Sequence, residues 1–530
     1  MKAVQSFIVF LMFSAPTCPC LSESSEPWGD MGNNTYCNPV IPADFSDIDC
    51  IRVGDDFYAI SSTMQFSPGM VILHSRDLVN WNVIGHVVSD LTWLSPDLNW
   101  DRMNRYGRGI WAGSIRYHDG RFYVVFGTPD EGYFLSTATR CEGVWTKPVV
   151  LLHESGWDDC CLAWSDEGKP WFVGTHFKDG YKTWLIPMDD AATSLRLREA
   201  KLVNEGNRRE ASKLLRHGGW YYLVFSEYKG REGRYVVARR SRRLEGPYEE
   251  EKRLTRNISG DDEPNQGGIV EGPDRKWYFL THHGRGTWAG RQVSLLPVKW
   301  KDDWPLIGQQ GEDGLGTMVW RGAMPSQSSR TGVVGAFEEE FNSAMLNPNI
   351  EWNYQPRDSM FTVDERRGWM RLKAFQPLKP ADMKTVGNIM TWRLWARSTT
   401  VSTTLIDVSD ITQDVHCGLC FFARNTSSLE VVRDENGYSL AVCSGGKVYA
   451  SIPLPTPIVY LRAESSPEGI GRFAYSLDGD RYIYINQSFQ LEWAAYRGAR
   501  AGIFCYNDVE ETGFADFNFV RVSLVNPPNN

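Results

Sequence analysis

The feature that most limits the fold is a short motif that recurs five times in about the first 320 residues: a turn, an aromatic pair and an apolar strand. Its copies read RVGDDFYAI, YHDGRFYVVFG, SDEGKPWFVG, RHGGWYYLVFS and GPDRKWYFLTH. Glycine and aspartate tolerate the positive φ angles of tight hairpin turns, and the residues that follow them suit a half-buried pleated surface. Five units of about 50–65 residues, each a small antiparallel sheet, therefore predict an all-β fold with a five-bladed β-propeller.

The same motif aligns equivalent positions between the blades. Its aromatic pair, or the equivalent proline, starts at Phe57, Phe122, Pro170, Tyr221 and Trp277. Ten residues earlier in the first copy, and eleven earlier in the others, lie Asp47, Trp111, Asp159, Glu210 and Gln266. The innermost strand of a blade directly precedes this hairpin, so the shared offset predicts that these five side chains surround one central channel.

Three of those five residues are carboxylic acids. Carboxylates that share a channel repel one another, and partial desolvation adds to this effect, so their pKa values separate. One carboxyl can then donate a proton at the same pH at which another accepts one. The pattern predicts general acid–base catalysis.

The segment NPVIPADFSDIDCIRVGDDFYAI, from Asn38, resembles the N-terminal signature of glycoside hydrolase family 43, and the similarity extends over nearly the whole chain. It implies that Asp47 is the general base, although Ile48 replaces the usual proline. The segments GWDDCCLAWSDEGKPWFVG and EASKLLRHGG resemble the two other carboxylate motifs of the family. They imply that Asp159 orients the acid and adjusts its pKa, and that Glu210 is the general acid. The family inverts anomeric configuration, and the carboxyls of an inverting pair stand about 6.5–9.5 Å apart.

Asp158 directly precedes Asp159 in this motif. Alternation along a strand predicts that the two side chains point in opposite directions, and the repeat offset selects Asp159.

The resemblance also suggests residues that contact the substrate, namely Trp111, Arg291, Phe66, Gln266 and His176, with His282 or His283 as further channel candidates. Many relatives carry a histidine at the position of Gln266, in some cases near a channel calcium ion. With glutamine there, we expect that no cofactor is required.

Residues 324–336, MPSQSSRTGVVGA, contain few large apolar side chains and predict a linker between a propeller at residues 27–323 and a second domain at residues 337–525. Alternating apolar and polar residues in the second domain predict a β-sandwich. Its ends, EEEFNSAMLNPNIEWN and FADFNFVRV, resemble the concanavalin-like jelly roll appended to many family 43 enzymes. In relatives this domain packs on the propeller rim and sometimes lends an aromatic side chain to the pocket. The resemblance allows a structural calcium ion there, with candidate ligands Glu338, Glu340 and Asp516.

The first 25 residues predict export. One lysine precedes an apolar run that is too short to cross a bilayer, and small residues and prolines follow, as in a secretory signal peptide. Cys18 and Cys20 leave a lipid-anchored surface protein as an alternative to a secreted or periplasmic one. The net charge of -9 and the lack of a long basic run argue against nucleic acid and anionic membranes as partners.

Together these features predict an exo-acting hydrolase that releases terminal α-L-arabinofuranose, or β-D-xylose, from saccharides derived from plant cell-wall arabinan, arabinoxylan or xylan. The segments GWDDCC and GTHFKDGYKTWL resemble a subgroup of the family that is rich in α-L-arabinofuranosidases, and this resemblance favours an arabinofuranosidase, with a β-xylosidase as the alternative. A non-catalytic carbohydrate-binding propeller is the alternative of another class, but it would not need all three acids. A retaining fructan hydrolase of similar architecture would need N-D-P-N, R-D-P and E-C motifs, which do not occur here.

Overall fold

The computed structural model describes residues 26–525 apart from 207, 257–263, 284–285 and 333. The predicted signal segment, residues 1–25, lies outside the described residues. Short 3₁₀-helices occur at Leu91–Trp93, Pro96–Leu98, Leu197–Glu199, Gly230–Glu232, Asp358–Met360 and Met383–Thr385. Within the described part of the chain, no helix is long and apolar enough to cross a membrane.

The N-terminal part of the chain is built from short strands joined by turns. They are β1 (Gly29–Asp30), β2 (Thr35–Cys37), β3 (Asp49–Val53), β4 (Asp56–Ser61), β5 (Phe66–Ser67), β6 (Gly69–Ser75), β7 (Asn82–Val88), β8 (Gly113–His118), β9 (Arg121–Thr128), β10 (Gly132–Ala138), β11 (Val149–His153), β12 (Trp157–Trp164), β13 (Pro170–His176), β14 (Lys182–Pro187), β15 (Lys201–Asn204), β16 (Arg209–His217), β17 (Trp220–Tyr228), β18 (Arg234–Ser241), β19 (Lys252–Arg253), β20 (Pro264–Glu271), β21 (Trp277–His283), β22 (Val293–Lys301), β23 (Trp304–Ile307), β24 (Gln309–Gln310), β25 (Gly316–Thr317) and β26 (Arg321–Ala323).

The C-terminal part continues with longer strands. They are β27 (Phe337–Glu339), β28 (Glu351–Asn353), β29 (Phe361–Thr362), β30 (Met370–Lys373), β31 (Met390–Arg393), β32 (Thr399–Asp407), β33 (Val415–Phe422), β34 (Ser427–Asp434), β35 (Gly437–Ser444), β36 (Lys447–Leu454), β37 (Ile458–Ser465), β38 (Ile470–Ser476), β39 (Ile483–Gln490), β40 (Arg500–Asn507) and β41 (Phe514–Val525).

Twenty strands of the N-terminal part form five four-stranded antiparallel sheets. Each sheet uses strands that follow one another in the chain, in the orders β3-β4-β6-β7, β8-β9-β10-β11, β12-β13-β14-β15, β16-β17-β18-β19 and β20-β21-β22-β23. The first strand of each sheet neighbours the first strand of the next, and β20 neighbours β3. These sheets confirm the prediction of five blades, because every recurring motif forms the hairpin between the first two strands of its sheet.

The innermost strands are held together by Arg116, which lies on β8. Its Nη1 is 2.7 Å from Oδ2 of Asp49 on β3, and its Nη2 is 2.7 Å from Sγ of Cys161 on β12. Nη2 also donates to the main-chain oxygen of Leu214 on β16, at 3.2 Å. A buried carboxylate such as Asp49 is costly without a paired cation, so one arginine both neutralises this charge and links four blades.

The C-terminal part is a sandwich of two antiparallel sheets, as the alternating pattern predicts. One sheet has the strand order β29-β30-β41-β32-β37-β38-β39, with β27 also paired to β41. The other has the order β36-β35-β34-β33-β40-β31-β28-β5. Large apolar side chains such as Trp392, Phe421 and Phe473 fill the core between the sheets.

One strand of the sandwich comes from the propeller. β5 lies in the loop between β4 and β6 of the first blade, yet it pairs with β28, where Trp352 and Asn353 oppose Ser67 and Phe66. The sandwich sheet therefore continues into the loop that follows the second strand of the first blade, and the two domains share main-chain hydrogen bonds.

The junction between the fifth and first blades provides a test of this packing. A β-carbon added at Gly268 on β20 would lie 2.5 Å from the main-chain nitrogen and 2.6 Å from the main-chain oxygen of Cys50 on β3. We expect Gly268→Ala to lower the free energy of unfolding by about 1–3 kcal/mol, because the added methyl forces the two strands apart. Thermal unfolding measures this, with Gly332→Ala as the control, since a β-carbon there meets nothing within 4 Å. Equal melting temperatures for the two variants would contradict the packing at this junction.

Candidate active site

A cavity of about 260 Å³ lies at the end of the propeller axis where the innermost strands begin. All five positions aligned by the repeat line it: Asp47, Trp111, Asp159, Glu210 and Gln266. The remaining lining residues are Met64, Asp158, Thr175, Phe177, Tyr181, Arg234, Asn265, Arg291 and Tyr496. The structure therefore brings together the three predicted acids, Trp111, Gln266 and Arg291.

Irregular backbone aims several of these side chains at the axis. The pairing of β12 with β13 skips Asp159, which has a φ of 49°, and the pairing of β16 with β17 shifts just after Glu210, where Ala211 has a φ of 61°. The pairing of β20 with β21 skips Asn265 and Gln266. A β-bulge turns a side chain away from regular alternation, and bulges are common beside active sites. Asp47, just before β3, also has a left-handed φ of 58°.

The bulge at Asp159 changes the position of its neighbour. Asp158 also lines the cavity, so the predicted alternation of these two side chains is wrong, because Asp159 is the extra residue of the bulge. Oδ1 of Asp158 is buried and has no hydrogen-bond partner among the described residues. Burial, followed by the charges of Asp159 and Asp47, raises the pKa of Asp158 well above its usual range. A fourth carboxyl group therefore belongs to the cluster.

Two donors hold the side chain of Asp47 in place. The hydroxyl of Ser62 donates to its Oδ2 at 2.6 Å, and Nη1 of Arg291 lies 3.1 Å from its Oδ1. A hydroxyl donor and a guanidinium cation both favour the charged form of a carboxyl group. Asp47 is only 8% exposed, so these partners act in a largely desolvated site.

The main chain of Asp47 is fixed by a neutral histidine. Its N–H donates to Nδ1 of His282 at 2.5 Å, so this ring nitrogen must be unprotonated. Burial, with a smaller effect of the Arg291 charge, lowers the pKa of His282 well below its usual range. The ring proton then resides on Nε2, which lies 3.0 Å from the side-chain amide nitrogen of Asn265. Exchange of the amide nitrogen and oxygen of Asn265 lets Nε2–H donate to Oδ1, which has no other partner in the ranges that the structure describes. His282 thus lies behind the cavity wall and fixes the backbone at Asp47.

Asp159 and Glu210 form the second half of the cluster. Nε2 of Gln266 donates to Oδ1 of Asp159 at 2.9 Å, and the hydroxyl of Ser212 donates to its main-chain oxygen at 2.8 Å. Burial and the nearby charge of Glu210 raise the pKa of Asp159 to about 7, against the opposing effect of the Lys213 cation. Asp159 therefore retains a proton up to about neutral pH.

Two buried or half-buried cations accompany this pair. The guanidinium of Arg234 contacts Oε1 of Glu210. Nζ of Lys213 donates to the main-chain oxygens of Gly113 at 2.6 Å and Cys160 at 3.4 Å, and the side chain is 5% exposed. These cations limit the repulsion between the carboxylates.

Aromatic side chains form the opposite wall of the cavity. The ring of Trp111 lies 6.1 Å from those of Phe177 and Tyr496, and Tyr181 completes the wall. Tyr496 belongs to the sandwich, so the second domain contributes directly to the cavity. Flat apolar faces beside hydrogen-bonding acids suit a sugar ring, which has apolar C–H faces and a polar hydroxyl edge.

Two residues that the sequence suggested for substrate contact lie elsewhere. Phe66 is 2% exposed and packs beneath Arg500, whose guanidinium carbon is 3.8 Å from the ring centroid. It lies in β5, which joins the sandwich sheet, and this removes it from the cavity wall. His176 stacks on Trp157 with ring centroids 4.6 Å apart, and its neighbour Phe177 takes the place on the wall.

The acids suggested as calcium ligands do not form a metal site. Asp516 is paired with Arg366 at 3.0 Å and with Arg371 at 2.8 Å, while Glu338 contacts Arg521. Glu340 accepts from Asn342 at 3.0 Å. Arginine side chains thus neutralise two of the three acids, and no group of three or more potential metal ligands occurs in the part of the chain that the structure describes.

The residues that sequence reasoning missed are Asp158, Arg234, Asn265, Tyr181, Phe177 and Tyr496. Asn265 and Asp158 adjoin aligned positions, so a search for bulges at the aligned register would have found them. Arg234 begins β18, beyond the hairpin that the repeat aligns, and Tyr496 comes from the other domain. No local sequence pattern indicates that Arg234 or Tyr496 belongs to the site.

Residues 36–305 match the model of glycosyl hydrolases family 43, and residues 338–523 match the β-xylosidase C-terminal concanavalin A-like domain. A β-xylosidase of Formosa agariphila is 28% identical over 94% of this chain and 92% of its own. A putative β-xylosidase of Xylanibacter ruminicola is 31% identical over 90% and 87%, respectively.

The chain is also similar to an arabinofuranosidase and to a larger protein of known structure. A non-reducing end α-L-arabinofuranosidase of Bacteroides ovatus is 29% identical over 65% of this chain and 66% of its own. Among solved structures, a bifunctional GH43-CE protein of Bacteroides eggerthii superposes with a TM-score of 0.80 at 26% identity over 94% of this chain. This chain spans 64% of that longer protein.

The raised pKa of Asp159 predicts a pH-dependent cost to stability. Between pH about 4, the usual aspartate value, and pH about 7, the folded state keeps a proton that the unfolded state releases, so stability falls as the pH rises. We expect Asp159→Asn to remove this loss, which amounts to at most roughly 4 kcal/mol. Melting temperatures of the wild type and of Asp159→Asn at pH 5 and pH 7.5 test this expectation. Asp55→Asn is the control, because the Asp55 side chain is 97% exposed. An equal decrease in melting temperature from pH 5 to pH 7.5 in the wild type and in Asp159→Asn would contradict the raised pKa of Asp159.

Proposed function

Because this chain belongs to glycosyl hydrolases family 43 and is a glycosidase, we propose that it removes single pentose residues from the non-reducing ends of plant cell-wall saccharides with inversion of configuration. The observation that carries the proposal is the meeting of Asp47, Asp159 and Glu210 in one small cavity with an aromatic wall. A carbohydrate-binding protein without activity would gain nothing from three mutually repelling acids at its centre.

Asp47 is the general base in this proposal. Its side chain is oriented by Ser62 and Arg291, and its carboxylate takes a proton from the water molecule that attacks the anomeric carbon. Inversion requires room for that water between the base and the sugar. The base must also hold its position, and its main-chain bond to His282 and its side-chain bond to Ser62 provide this.

Glu210 is the general acid, and Asp159 supplies the conditions for it. The acid must deliver a proton to the departing oxygen from the face of the sugar opposite the attacking water. In this proposal, the proton that Asp159 retains up to about neutral pH supplies this step, and the neighbouring Glu210 delivers it. Gln266 holds Asp159 through its amide, which keeps the two carboxyls of the pair in a fixed relation.

The size of the cavity favours release of one sugar at a time. Pockets for drug-sized ligands occupy about 300–1,000 Å³, and this cavity of about 260 Å³ is below that range. Tyr496 of the sandwich stands against Trp111 and limits the space on that side. An enzyme that bound several sugar units in mid-chain would need an open groove, so an exo mode follows.

Two pentose substrates are candidates. The Formosa agariphila and Xylanibacter ruminicola relatives, which match over 94% and 90% of this chain, are named β-xylosidase and putative β-xylosidase, and this favours terminal β-D-xylose from xylan-derived saccharides. The GWDDCC segment and the arabinofuranosidase relative favour terminal α-L-arabinofuranose from arabinan or arabinoxylan. Export, as a secreted, periplasmic or lipid-anchored surface protein, is part of the proposal, because the polymers that supply such ends are outside the cell.

Substitution of the two acids tests their separate roles. We expect Glu210→Gln to lower kcat/KM on natural xylo- or arabino-oligosaccharides by about 10²–10⁴-fold and to spare dinitrophenyl pentosides, whose leaving group needs no proton. Asp47→Asn should impair both substrate types, because water activation is needed for each. Glu199→Gln, an exposed position, is the control. If Glu210→Gln lowered kcat/KM equally for the oligosaccharides and the dinitrophenyl pentosides, Glu210 would not be the general acid.

A comparison of two aryl pentosides tests the substrate. We expect the wild-type enzyme to hydrolyse para-nitrophenyl β-D-xyloside, α-L-arabinofuranoside or both, with kcat/KM at least tenfold above that for the corresponding hexoside, because a pocket shaped for a pentose discriminates against an extra CH₂OH group. A higher value for the xyloside would support β-xylosidase activity and a higher value for the arabinofuranoside the second candidate. Preference for a hexoside would contradict the proposal.

A further inference from the structure

A tight turn of the sandwich docks against the propeller next to the base. Ala494 and Arg497 exchange two main-chain hydrogen bonds of 2.8 and 2.9 Å across the turn. The two residues between them, Ala495 and Tyr496, have φ angles of 47° and 67°. Neither is glycine, and such a conformation persists only where the surroundings enforce it. A β-carbon added at Gly107 of the propeller would come within 2.7 Å of Cβ of Ala495, so the turn is closely seated.

Arg497 anchors this turn on two segments of the first blade. Its Nε lies 2.8 Å from Oδ2 of Asp44, and its Nη1 donates to the main-chain oxygen of Ser62 at 2.7 Å. Arg497 is 3% exposed and Asp44 is 1% exposed, so this ion pair is buried between the domains. A buried arginine with these two partners fixes residues 44 and 62 relative to the sandwich.

Both segments lead directly to the base. The hydroxyl of Ser62 donates to Oδ2 of Asp47 at 2.6 Å, and its N–H donates to the main-chain oxygen of Ser46 at 3.2 Å. Asp44 precedes Asp47 by three residues, and its Oδ1 accepts from the hydroxyl of Ser46 at 3.2 Å. The contacts therefore run from the sandwich through Ser62 and Ser46 to Asp47, which has a left-handed backbone.

The sheet that crosses the domain boundary supports the same loop. β5 follows Ser62 by four residues and pairs with β28 of the sandwich. Arg393 of the sandwich donates from Nε to the main-chain oxygen of Asp44 at 2.8 Å. The loop that holds the base is thus attached to the second domain by main-chain and side-chain bonds.

We propose that Arg497 is a positioning residue for the reaction: through Ser62 and Asp44, it makes the orientation of the Asp47 carboxylate depend on the docked sandwich. The inference rests on the proposed role of Asp47 as the base. Arg497 touches no reacting atom, and it acts by holding the hydroxyl and the backbone that hold Asp47. A lysine has a single ammonium group on a flexible stem, so it cannot reproduce the two-pronged contact.

The test compares Arg497→Lys with Arg500→Lys. Arg500 is equally buried, lies three residues away, pairs with Glu351 at 2.6 Å and packs on Phe66 of β5, so its replacement weakens the same interface without removing a hydrogen bond or ion pair to Ser62 or Asp44. Ser62→Ala removes the last hydroxyl of the relay. All variants retain the other groups that face Asp47, namely Arg291, His282, Asp158, Asp159 and Glu210.

Two readouts distinguish a positioning role from a merely structural one. The acidic limb of the pH profile of kcat/KM reports ionisation of the base in the free enzyme. We expect Arg497→Lys to shift this limb to higher pH and to lower kcat/KM by about 10–100-fold. Ser62→Ala should shift the limb in the same direction. The double variant should shift it little further than either single variant, because both substitutions break the same chain of contacts. Arg500→Lys should lower the melting temperature and leave the limb in place.

Hydrogen exchange supplies a readout that needs no activity. We expect faster amide exchange in residues 44–47 and 61–64 for Arg497→Lys and wild-type rates there for Arg500→Lys. Wild-type amide exchange in residues 44–47 and 61–64 of Arg497→Lys would overturn the inference. An unshifted acidic limb of the pH profile in Ser62→Ala would also overturn it, and this measurement decides the question if Arg497→Lys fails to fold. Absence of pentosidase activity in the wild type would count against the proposed function, and the exchange result would still decide whether Arg497 holds the loop.

Discussion

Four carboxyl groups, those of Asp47, Asp158, Asp159 and Glu210, share one cavity, and the site depends on how their repulsion is offset. The structure uses cations for two of them and protonation for the others. Arg291 pairs with Asp47 and Arg234 contacts Glu210, while burial raises the pKa values of Asp158 and Asp159. The cluster therefore carries less negative charge than four ionised carboxylates would, and a proton is held beside Glu210 at the pH at which Asp47 faces a guanidinium.

The backbone is as important as the charges. Regular strands would send alternate side chains away from the axis, and bulges at the start of three inner strands redirect them. The first blade has no such bulge at Asp47. There the side chain is aimed by a left-handed residue whose surroundings are completed by the second domain. The sandwich therefore both closes the cavity with Tyr496 and supports the loop that carries Ser62.

The fold could be predicted because each blade begins with a local hairpin that leaves its own signature. The shared offset then located Asp159 and Glu210, since equivalent residues occupy equivalent places in a symmetric ring. Asp158 could not be placed, because an alternation argument assumes a regular strand. Tyr496 and the position of Phe66 depend on the docking of the sandwich, a contact between residues more than 400 positions apart, and such contacts leave no local pattern.

The most direct measurement is the anomeric configuration of the first sugar released, followed by proton NMR immediately after the enzyme is mixed with its pentoside. Asp47 acting on water, opposite an acid at Glu210, predicts that the first-formed sugar has the inverted configuration and reaches the equilibrium mixture only later by mutarotation. First-formed sugar of retained configuration would mean that a carboxylate attacks the anomeric carbon itself. That result would contradict the roles assigned to these acids.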